Sequence, residues 1–331
     1  MTAKQFLKIL ILLSLLLGLG SACWKTKNTG IPLDMILTAF GGNAQKLYVG
    51  GFSGLYLSQD LGDHWTDLSR FTSDSYRVND ILVRQNEVLL ATSNGIFYSS
   101  NGGNQFQASN QGIATLIPSD PTTIVDVRQL AISGNRVYAA TFTGLYCSDQ
   151  FGRSWYSCTP LPRGGNGIDV VPAEGVTISA DGSVWAGMQQ NGLYQSTDQG
   201  RTWTVRNEGV VARNLVPNRL KSCGQYLYYT DQGKVFFRES NLVGAWRAYP
   251  LVENSISIDM TCDQNSIWFG LHATDRTFSG PTWTDVFKGG LTGGDLESID
   301  SGFKGQIGAL FLLGNQLYVA GSKGVQVTDA Y

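Results

Sequence analysis

The 331-residue sequence predicts an all-β protein, a seven-bladed β-propeller, because one strand pattern recurs seven times at similar spacing. Each copy is a short apolar run that follows a turn-forming pair or near-pair, and such pairs close tight hairpins. The copies begin at Lys46, Glu87, Arg136, Ser183, Tyr226, Ser266 and Gln316. A repeat of about 40 to 50 residues that contains four short strands is typical of propeller blades.

Each predicted blade has four strands, which we call A to D in chain order. Strand A is an apolar run before the tight turn, and strand B is the recurring pattern described above. Strand C is predicted from a G-[LI]-[YF]-x-S pattern that begins at Gly54, Gly95, Gly144 and Gly192. Strand D follows the turn that closes this third strand.

The turn between strands C and D has an S-x-D-x-G-x-x-W pattern, with two full copies and two substituted ones. The residues are Ser58, Asp60, Gly62 and Trp65; Ser99, Asn101, Gly103 and Phe106; Ser148, Gln150, Gly152 and Trp155; and Ser196, Asp198, Gly200 and Trp203. Hydroxyl and carboxylate groups can accept backbone hydrogen bonds, Gly permits unusual backbone angles, and Trp packs into the blade. We interpret these turns, called box turns below, as structural and not catalytic.

The box turns resemble the Asp-box, or BNR, repeat, and the resemblance covers about residues 35 to 331. Asp-box propellers include sialidases, glucan-cleaving glycosidases, sortilin-type receptors and photosystem II stability/assembly factors, so the resemblance implies the fold and leaves the function open. In length, in a predicted membrane tether and in the lack of a catalytic signature, the chain is most similar to the assembly-factor group. That group escorts membrane-protein subunits during assembly.

The sequence does not predict a recognisable catalytic residue or metal site. A sialidase would normally show an Arg-Ile-Pro or similar motif before the first box, but residues 31 to 58 contain no Arg. The two histidines, His64 and His272, are placed in a turn and in a B–C loop, away from any nucleophile motif. They are also too few for a His-rich metal centre. We therefore expect no metal and no cofactor.

Residues 1–23 resemble a signal peptide with a lipobox-like end. Lys4 and Lys8 precede the apolar run from Ile9 to Leu19, which is too short to span a bilayer. Small residues then lead to Cys23, where lipidation is predicted, although Gly20 departs from the usual Leu. Ordinary cleavage nearby remains the alternative. Both alternatives predict export, and lipidation predicts a membrane-anchored lipoprotein of a bacterial cell envelope.

Residues 24–34 form an N-terminal segment that precedes the propeller of residues 35–331. The seventh blade ends at Tyr331, just after its strand C, so one edge would stay open unless another segment covers it. Trp24-Lys25-Thr26 is similar to Trp203-Thr204 after the fourth box. The segment is therefore a candidate for the missing strand D.

Four cysteines follow the signal-like segment. None of them is spaced like a zinc ligand, and export would permit disulfides, but free buried thiols are equally compatible with the sequence. The four are Cys147, Cys158, Cys223 and Cys262.

Charged residues at the strand A positions are candidates for a central binding funnel. They are Arg77, Asp80, Asp126, Arg128, Arg213, Arg219 and Asp259. A glycosidase would need two of the carboxyl groups to face each other across a substrate. Acids that pair with the arginines would instead indicate a binding scaffold.

Binding is predicted on the face where the D–A and B–C connections emerge, because long loops on a rigid scaffold often carry recognition. A protein or a glycan is the expected partner. The net charge of −2 gives no general attraction to nucleic acid, and a monomer is expected. The favoured function is a non-catalytic binding or assembly scaffold. The alternative is a glycoside hydrolase, sialidase-like or glucan-cleaving, or a glycan-binding propeller.

Overall fold

The computed structural model confirms the all-β, seven-bladed propeller. It describes residues 24–52, 54–69, 76–116, 119–120, 124–158, 171–211, 215–240, 244–252, 254–274, 281–299, 303 and 305–330. These residues form 28 strands in seven four-stranded sheets. Within these ranges, no helix is long and apolar enough to cross a membrane.

Each blade is a four-stranded antiparallel sheet with its strands in chain order. Blade one contains β2 (Leu37–Gly42), β3 (Leu47–Gly51), β4 (Gly54–Ser58) and β5 (Thr66–Asp67). Blade two contains β6 (Val78–Arg84), β7 (Glu87–Thr92), β8 (Gly95–Ser99) and β9 (Gln107–Ala108). Blade three contains β10 (Val127–Ser133), β11 (Arg136–Thr141), β12 (Gly144–Ser148) and β13 (Tyr156–Ser157). Blade four contains β14 (Ala173–Ile178), β15 (Val184–Met188), β16 (Gly192–Ser196) and β17 (Thr204–Val205).

The remaining three blades complete the ring. Blade five contains β18 (Pro217–Cys223), β19 (Tyr226–Asp231), β20 (Lys234–Glu239) and β21 (Arg247–Ala248). Blade six contains β22 (Ser255–Cys262), β23 (Ser266–Thr274), β24 (Pro281–Gly290) and β25 (Glu297–Ser298). Blade seven contains β26 (Ile307–Leu313), β27 (Gln316–Gly321), β28 (Gly324–Asp329) and β1 (Lys25–Thr26). First strands of successive blades contact each other around the hub, and β26 contacts β2.

The N-terminal segment supplies the outer strand of blade seven. Lys25 pairs with Val327 and Thr26 pairs with Gln326, both antiparallel. The turns between strands C and D lie on one face of the ring, which we call the box-turn face, and the B–C loops lie on the other. β28 runs from its B–C loop to Asp329 on the box-turn face. Because β1 is antiparallel to β28, it begins on the box-turn face. Blade seven is thus built from strands of both ends of the described chain, and β1 covers the edge that β28 would otherwise expose.

A second repeated motif joins neighbouring blades, and the sequence analysis missed it. It reads [WF]-x-x-x-N-x-G-[IV] and occurs at residues 24–31, 106–113 and 203–210. In each copy the Asn side chain accepts a hydrogen bond from strand C of its own blade, as when Ile96 N–H donates to Asn110 at 2.8 Å. The next blade's Trp then donates to the same segment: Trp155 N–H to Gln111 O at 2.9 Å and its indole N–H to Ser109 O at 2.8 Å.

Both pairs of cysteines are disulfides. Cys147–Cys158 links strand C of blade three to the end of strand D, and Cys223–Cys262 joins the first strands of blades five and six. The second bridge therefore ties two adjacent blades together. The two Cα–Cα distances, 5.5 and 5.8 Å, are typical of disulfides.

The blade-joining motif predicts a steric requirement for Gly112. Its φ is +94°, and an added Cβ would overlap the carbonyl oxygen of Trp155. We expect Gly112→Ala to lower the free energy of unfolding by about 3 kcal/mol. The matched control is Gly134→Ala, at φ +62° with open space around it, which should cost only about 1 kcal/mol. Urea denaturation would measure both, and equal losses would contradict the proposed packing.

Candidate functional site

A β-bulge interrupts the first strand of every blade at the same position. In each blade the pairing register between strands A and B shifts across one residue. The bulged residues are Thr38, Asn79, Arg128, Glu174, Arg219, Ile258 and Gly308. Bulges redirect side chains and are frequent beside functional sites.

All seven bulged residues line one cavity of about 510 Å³ at the hub, which we call the funnel. Its other lining residues are Ile36, Arg77, Asp126, Asn218, His272, Gln306 and Ile307. The funnel opens on the face that carries the D–A and B–C connections, since these residues lie at or near the ends of those connections. Blades two to five contribute the charged side chains, and blades six, seven and one contribute three isoleucines together with Thr38, His272 and Gln306.

The charged side of the funnel is a chain of hydrogen bonds and ion pairs. The Arg77 guanidinium donates to Asn79 Oδ1 at 2.6 Å, and Asn79 Nδ2 donates to Asp126 Oδ1 at 2.7 Å. Asp126 also pairs with Arg128 at 3.5 Å, and Arg128 pairs with Glu174. The chain therefore continues without interruption through blades two, three and four.

Glu174 is the deepest acid of the funnel, with 2% of its surface exposed. The Arg128 guanidinium is its ionic partner, and burial lowers the pKa of Arg128. Sequence analysis did not select Glu174, although it occupies the bulge position of blade four. The bulge that directs its side chain into the funnel is visible only in the structure.

Arg219 crosses the hub from blade five. Its φ of +46° is unusual for a residue other than Gly, and its Nη2 donates to Asn79 O at 3.2 Å. Arg219 lines both the funnel and a second cavity of about 260 Å³ at the hub. The side chain therefore separates two cavities along the axis of the ring.

The apolar side of the funnel contains Ile36, Ile258 and Ile307, with His272 beside them. His272 lies within β23 and not in a B–C loop as expected from the sequence, because this strand extends to Thr274. Its Nε2 accepts the Ile307 N–H at 3.3 Å, and burial lowers the pKa of the ring. The low pKa favours a neutral imidazole here.

Two acids that the sequence predicted for the funnel belong to the second cavity instead. Asp80 accepts the Leu130 N–H at 2.8 Å, and Asp259 accepts the Leu310 N–H at 2.8 Å. Each follows a bulged residue and turns away from the funnel to bond the next blade. Burial raises the pKa of Asp80, and Arg219 opposes that rise. These acids therefore join blades.

Of the remaining predicted residues, Arg77, Asp126, Arg128 and Arg219 do lie together in the funnel. Arg213 and the lipidation candidate Cys23 lie outside the described residues. Among the residues that the structure describes, no group of three or more His, Cys, Asp or Glu side chains could hold a metal ion.

Several large apolar side chains are exposed on the face where the funnel opens, and Ile36, Phe52 and Phe142 lie at the funnel itself. Six of the exposed ones lie in D–A or B–C connections: Leu33, Ile36, Phe52, Leu116, Phe142 and Val211. Phe52 is 50% exposed beneath the Arg77 guanidinium, and Phe142 is 40% exposed beneath that of Arg128. Exposed apolar groups clustered around charged ones often mark an interaction site.

The box turns lie on the opposite face, and their geometry repeats. In all four, the buried Ser hydroxyl accepts the N–H of the Gly four residues later, at 2.7 to 2.9 Å. The residue before each Gly also has a positive φ: Leu61, Gly102, Phe151 and Gln199. The Ser hydroxyls donate to Asp60, Asn101 and Asp198 in the three turns that have an acid or Asn there.

No protein-family model matches the sequence, and a search of curated proteins found no match either. Solved structures show the same fold. YCF48 bound to a D1 peptide is similar over 95% of this chain and 98% of its own, with 14% identity and a TM-score of 0.67. The GH74 xyloglucanase from Xanthomonas campestris is similar over 93% of this chain and 54% of its own, with 16% identity and a TM-score of 0.69.

A third similar structure is the extracellular domain of the putative hybrid two-component system BT4673 from B. thetaiotaomicron. It matches 93% of this chain and 40% of its own length, with 14% identity and a TM-score of 0.68. At such identities these similarities establish the fold alone.

The box turns predict a loss of stability in acid. Hydrogen bonds from His64 and Ser58 lower the pKa of Asp60 from 3.8 to about 2, and Thr202 and Ser196 do the same for Asp198. A pKa lowered by folding stabilises the protein above about pH 4, and this contribution is lost as the pH falls towards 2.

We therefore expect a double change, Asp60→Asn with Asp198→Asn, to flatten the decline in urea midpoint between pH 5 and pH 2.5. The second box turn provides the control, because Asn101 has no ionisable group and Asn101→Ala should leave the pH slope unchanged. An acid decline that stays as steep in the double variant would contradict this assignment.

Proposed function

We propose that the protein is an Asp-box propeller that acts as a non-catalytic binding scaffold, exported to the cell envelope. A protein partner would bind on the face where the funnel opens, which we call the funnel face. The observation that supports this most directly is the combination of exposed apolar side chains around the funnel with acids that are already paired inside it. A large apolar surface with embedded arginines is typical of protein recognition.

The two sides of the funnel indicate what kind of segment would fit. Within the described residues, neither Arg77 nor Arg219 forms an ion pair, whereas Asp126 and Glu174 both pair with Arg128. The funnel thus has an excess of positive charge on one side and isoleucines on the other. An extended segment with both acidic and apolar residues would match it. The structural similarity to YCF48 bound to a D1 peptide is consistent with peptide binding by such a propeller.

The alternative is a glycoside hydrolase, which the similarity to a GH74 xyloglucanase keeps open. Hydrolysis needs one carboxyl group that stays protonated as a general acid and a second one that is ionised. Asp126 and Glu174 are the acids of the funnel among the described residues, and both are paired with the same guanidinium, that of Arg128. This arrangement favours the scaffold over the enzyme.

Export is supported by the two disulfides, which form and persist mainly in oxidising compartments. Lipidation at Cys23 would place the anchor beside β1, which begins on the box-turn face. The funnel would then point away from the membrane, accessible to a partner.

We expect the double change Phe52→Ala with Phe142→Ala to weaken partner capture from an envelope extract by about thirtyfold, because exposed aromatic anchors often contribute about 2 kcal/mol or more. The matched control is Leu61→Ala with Val205→Ala, which removes apolar side chains of similar exposure, 41% and 47%, away from the funnel face. Equal capture by both variants would contradict the assigned face.

Chromogenic glycosides tested alongside should not be cleaved, and turnover lost on Asp126→Asn would favour the hydrolase.

We expect Cys23→Ser to move the protein from the membrane fraction to the soluble fraction in a bacterial host, because the acyl chains have no other attachment point in the proposed lipobox. Mass spectrometry of the mature N-terminus would identify the lipid. Ser21→Ala, which keeps a small residue before the Cys, serves as the control. Membrane retention by Cys23→Ser, or an unmodified wild-type N-terminus, would disprove lipidation.

A further inference from the structure

Arg219 has a backbone conformation that no other non-glycine residue of the described strands shares. In the described part of the chain, eight residues other than Gly have a positive φ, and seven of them lie in turns or loops. Arg219, at φ +46°, lies within a strand, at the bulge of β18. The left-handed region is unfavourable for a residue with a Cβ, so the surrounding structure must impose it.

Hydrogen bonds fix the backbone on both sides of Arg219. On one side, the Thr230 hydroxyl donates to Asn218 O at 2.7 Å. On the other side, the Gln129 amide bonds both backbone groups of Leu220. The Leu220 N–H donates to Gln129 Oε1 at 3.0 Å, and Gln129 Nε2 donates to Leu220 O at 2.7 Å. Gln129 belongs to blade three, so its side chain reaches past blade four to hold blade five.

A glycine in blade four makes room for this contact. Gly175 follows the bulge of its own first strand, between Gln129 and Leu220. An added Cβ would lie 2.8 Å from Leu220 Cδ1 and 3.0 Å from Gln129 Oε1. Three blades therefore cooperate to hold one strained residue. Strain that is imposed in this way is concentrated at binding and catalytic sites.

The strained backbone directs the Arg219 side chain across the hub, where it forms the floor of the funnel. Its Nη2 donates to Asn79 O of blade two at 3.2 Å. Within the described residues, no acceptor bonds its Nε or Nη1 groups. Because a guanidinium has five N–H donors in a planar fork, most of these donors remain unused. We call this group the floor guanidinium.

The described acids that line the two cavities of the hub already have other partners. Asp126 and Glu174 pair with Arg128. Asp80 and Asp259 accept backbone N–H groups of neighbouring blades. A carboxylate from another molecule can therefore bond the floor guanidinium without displacing an ion pair. The funnel lining has three arginines and two acids, so one carboxylate would neutralise its excess positive charge.

We propose that Arg219 determines the specificity of the funnel by binding a carboxylate group of the partner. This inference rests on the proposed protein-binding function and adds the residue that selects the partner segment. A carboxylate matches the guanidinium fork and accepts two parallel hydrogen bonds from it. Ile258 and Ile307 line the same cavity and would contact apolar residues beside the acidic group. Either an acidic side chain or a chain terminus supplies such a carboxylate, and the test separates these two sources.

Fluorescence anisotropy of the full-length protein in detergent with three labelled nine-residue peptides tests the proposal. All three alternate isoleucine with serine around one central residue. The first has a central glutamate and both ends capped, the second a central glutamine and both ends capped, and the third a central glutamine and a free C-terminus. We expect at least one carboxylate-bearing peptide to bind about tenfold more tightly than the neutral one, since a charge-assisted pair is gained. The peptide that binds identifies the source of the carboxylate.

Arg219→Gly separates recognition from stability, because Gly adopts a positive φ without strain. We expect this variant to lose the preference for a carboxylate, yet to unfold at the wild-type temperature or about 2 °C higher. The matched control is Gln232→Gly, which relieves a φ of +48° in the exposed B–C loop of the same blade and should keep the preference. Arg219→Lys keeps the charge without the planar fork and should lose most of the preference.

The results that would overturn this inference differ from those that would overturn the proposed function. No binding of either carboxylate peptide, or a preference that survives in Arg219→Gly, would show that Arg219 does not select the partner. If Phe52→Ala with Phe142→Ala still weakens partner capture in that case, the proposed face stands without this anchor. A carboxylate preference that depends on Arg219, with capture unaffected by the two Phe changes, would support the anchor and contradict the proposed face.

Discussion

The bulge in the first strand of every blade is the constraint on which the rest of the hub depends. A regular strand alternates its side chains between two faces, whereas a bulge inserts one extra residue and redirects its side chain. Repeated seven times at one level, the bulge creates a ring of seven residues, six of them with side chains, that defines the funnel. The residue after the bulge then turns towards the neighbouring blade. Asp80 and Asp259 use their carboxylates there to satisfy buried backbone N–H groups, and Gln129 uses its amide oxygen for Val176 in the same way.

The bulges also explain which parts of the molecule could be predicted from the sequence. The seven blades follow from strand and turn patterns that are local in sequence, and each blade repeats them. The box turns were also recognisable, because Ser, Asp and Gly act within a few residues of each other. The destination of a strand A side chain depends on the bulge, which breaks the period-two pattern that sequence reasoning relies on. Asp80 was therefore expected in the funnel, and Glu174, which lies there, was missed.

The blade-joining motif was missed for another reason. Its Asn bonds strand C of its own blade, whereas the backbone carbonyls beside its Asn and Gly accept hydrogen bonds from the Trp of the next blade. Only three junctions have the motif, at unequal spacing. Asn28-Thr29-Gly30 gives the clearest indication that the N-terminal segment belongs to a blade, because the same N-x-G pattern comes after strand D in blades two and four. The Cys223–Cys262 disulfide could not be predicted for the same reason, because the two cysteines come together only when the first strands of blades five and six are neighbours.

Function in such a repeat resides where equivalent positions differ. The bulge positions differ in this way: blades three to five place Arg128, Glu174 and Arg219 there, whereas blade six places Ile258, and blade seven needs Gly308 because an added Cβ would meet the Leu37 carbonyl oxygen. A buried ion pair such as Arg128–Glu174 contributes little net stability, because both charges lose hydration. The charged side of the funnel is therefore better explained by recognition than by folding. Here a departure from the repeat has left polar groups that the fold itself does not need.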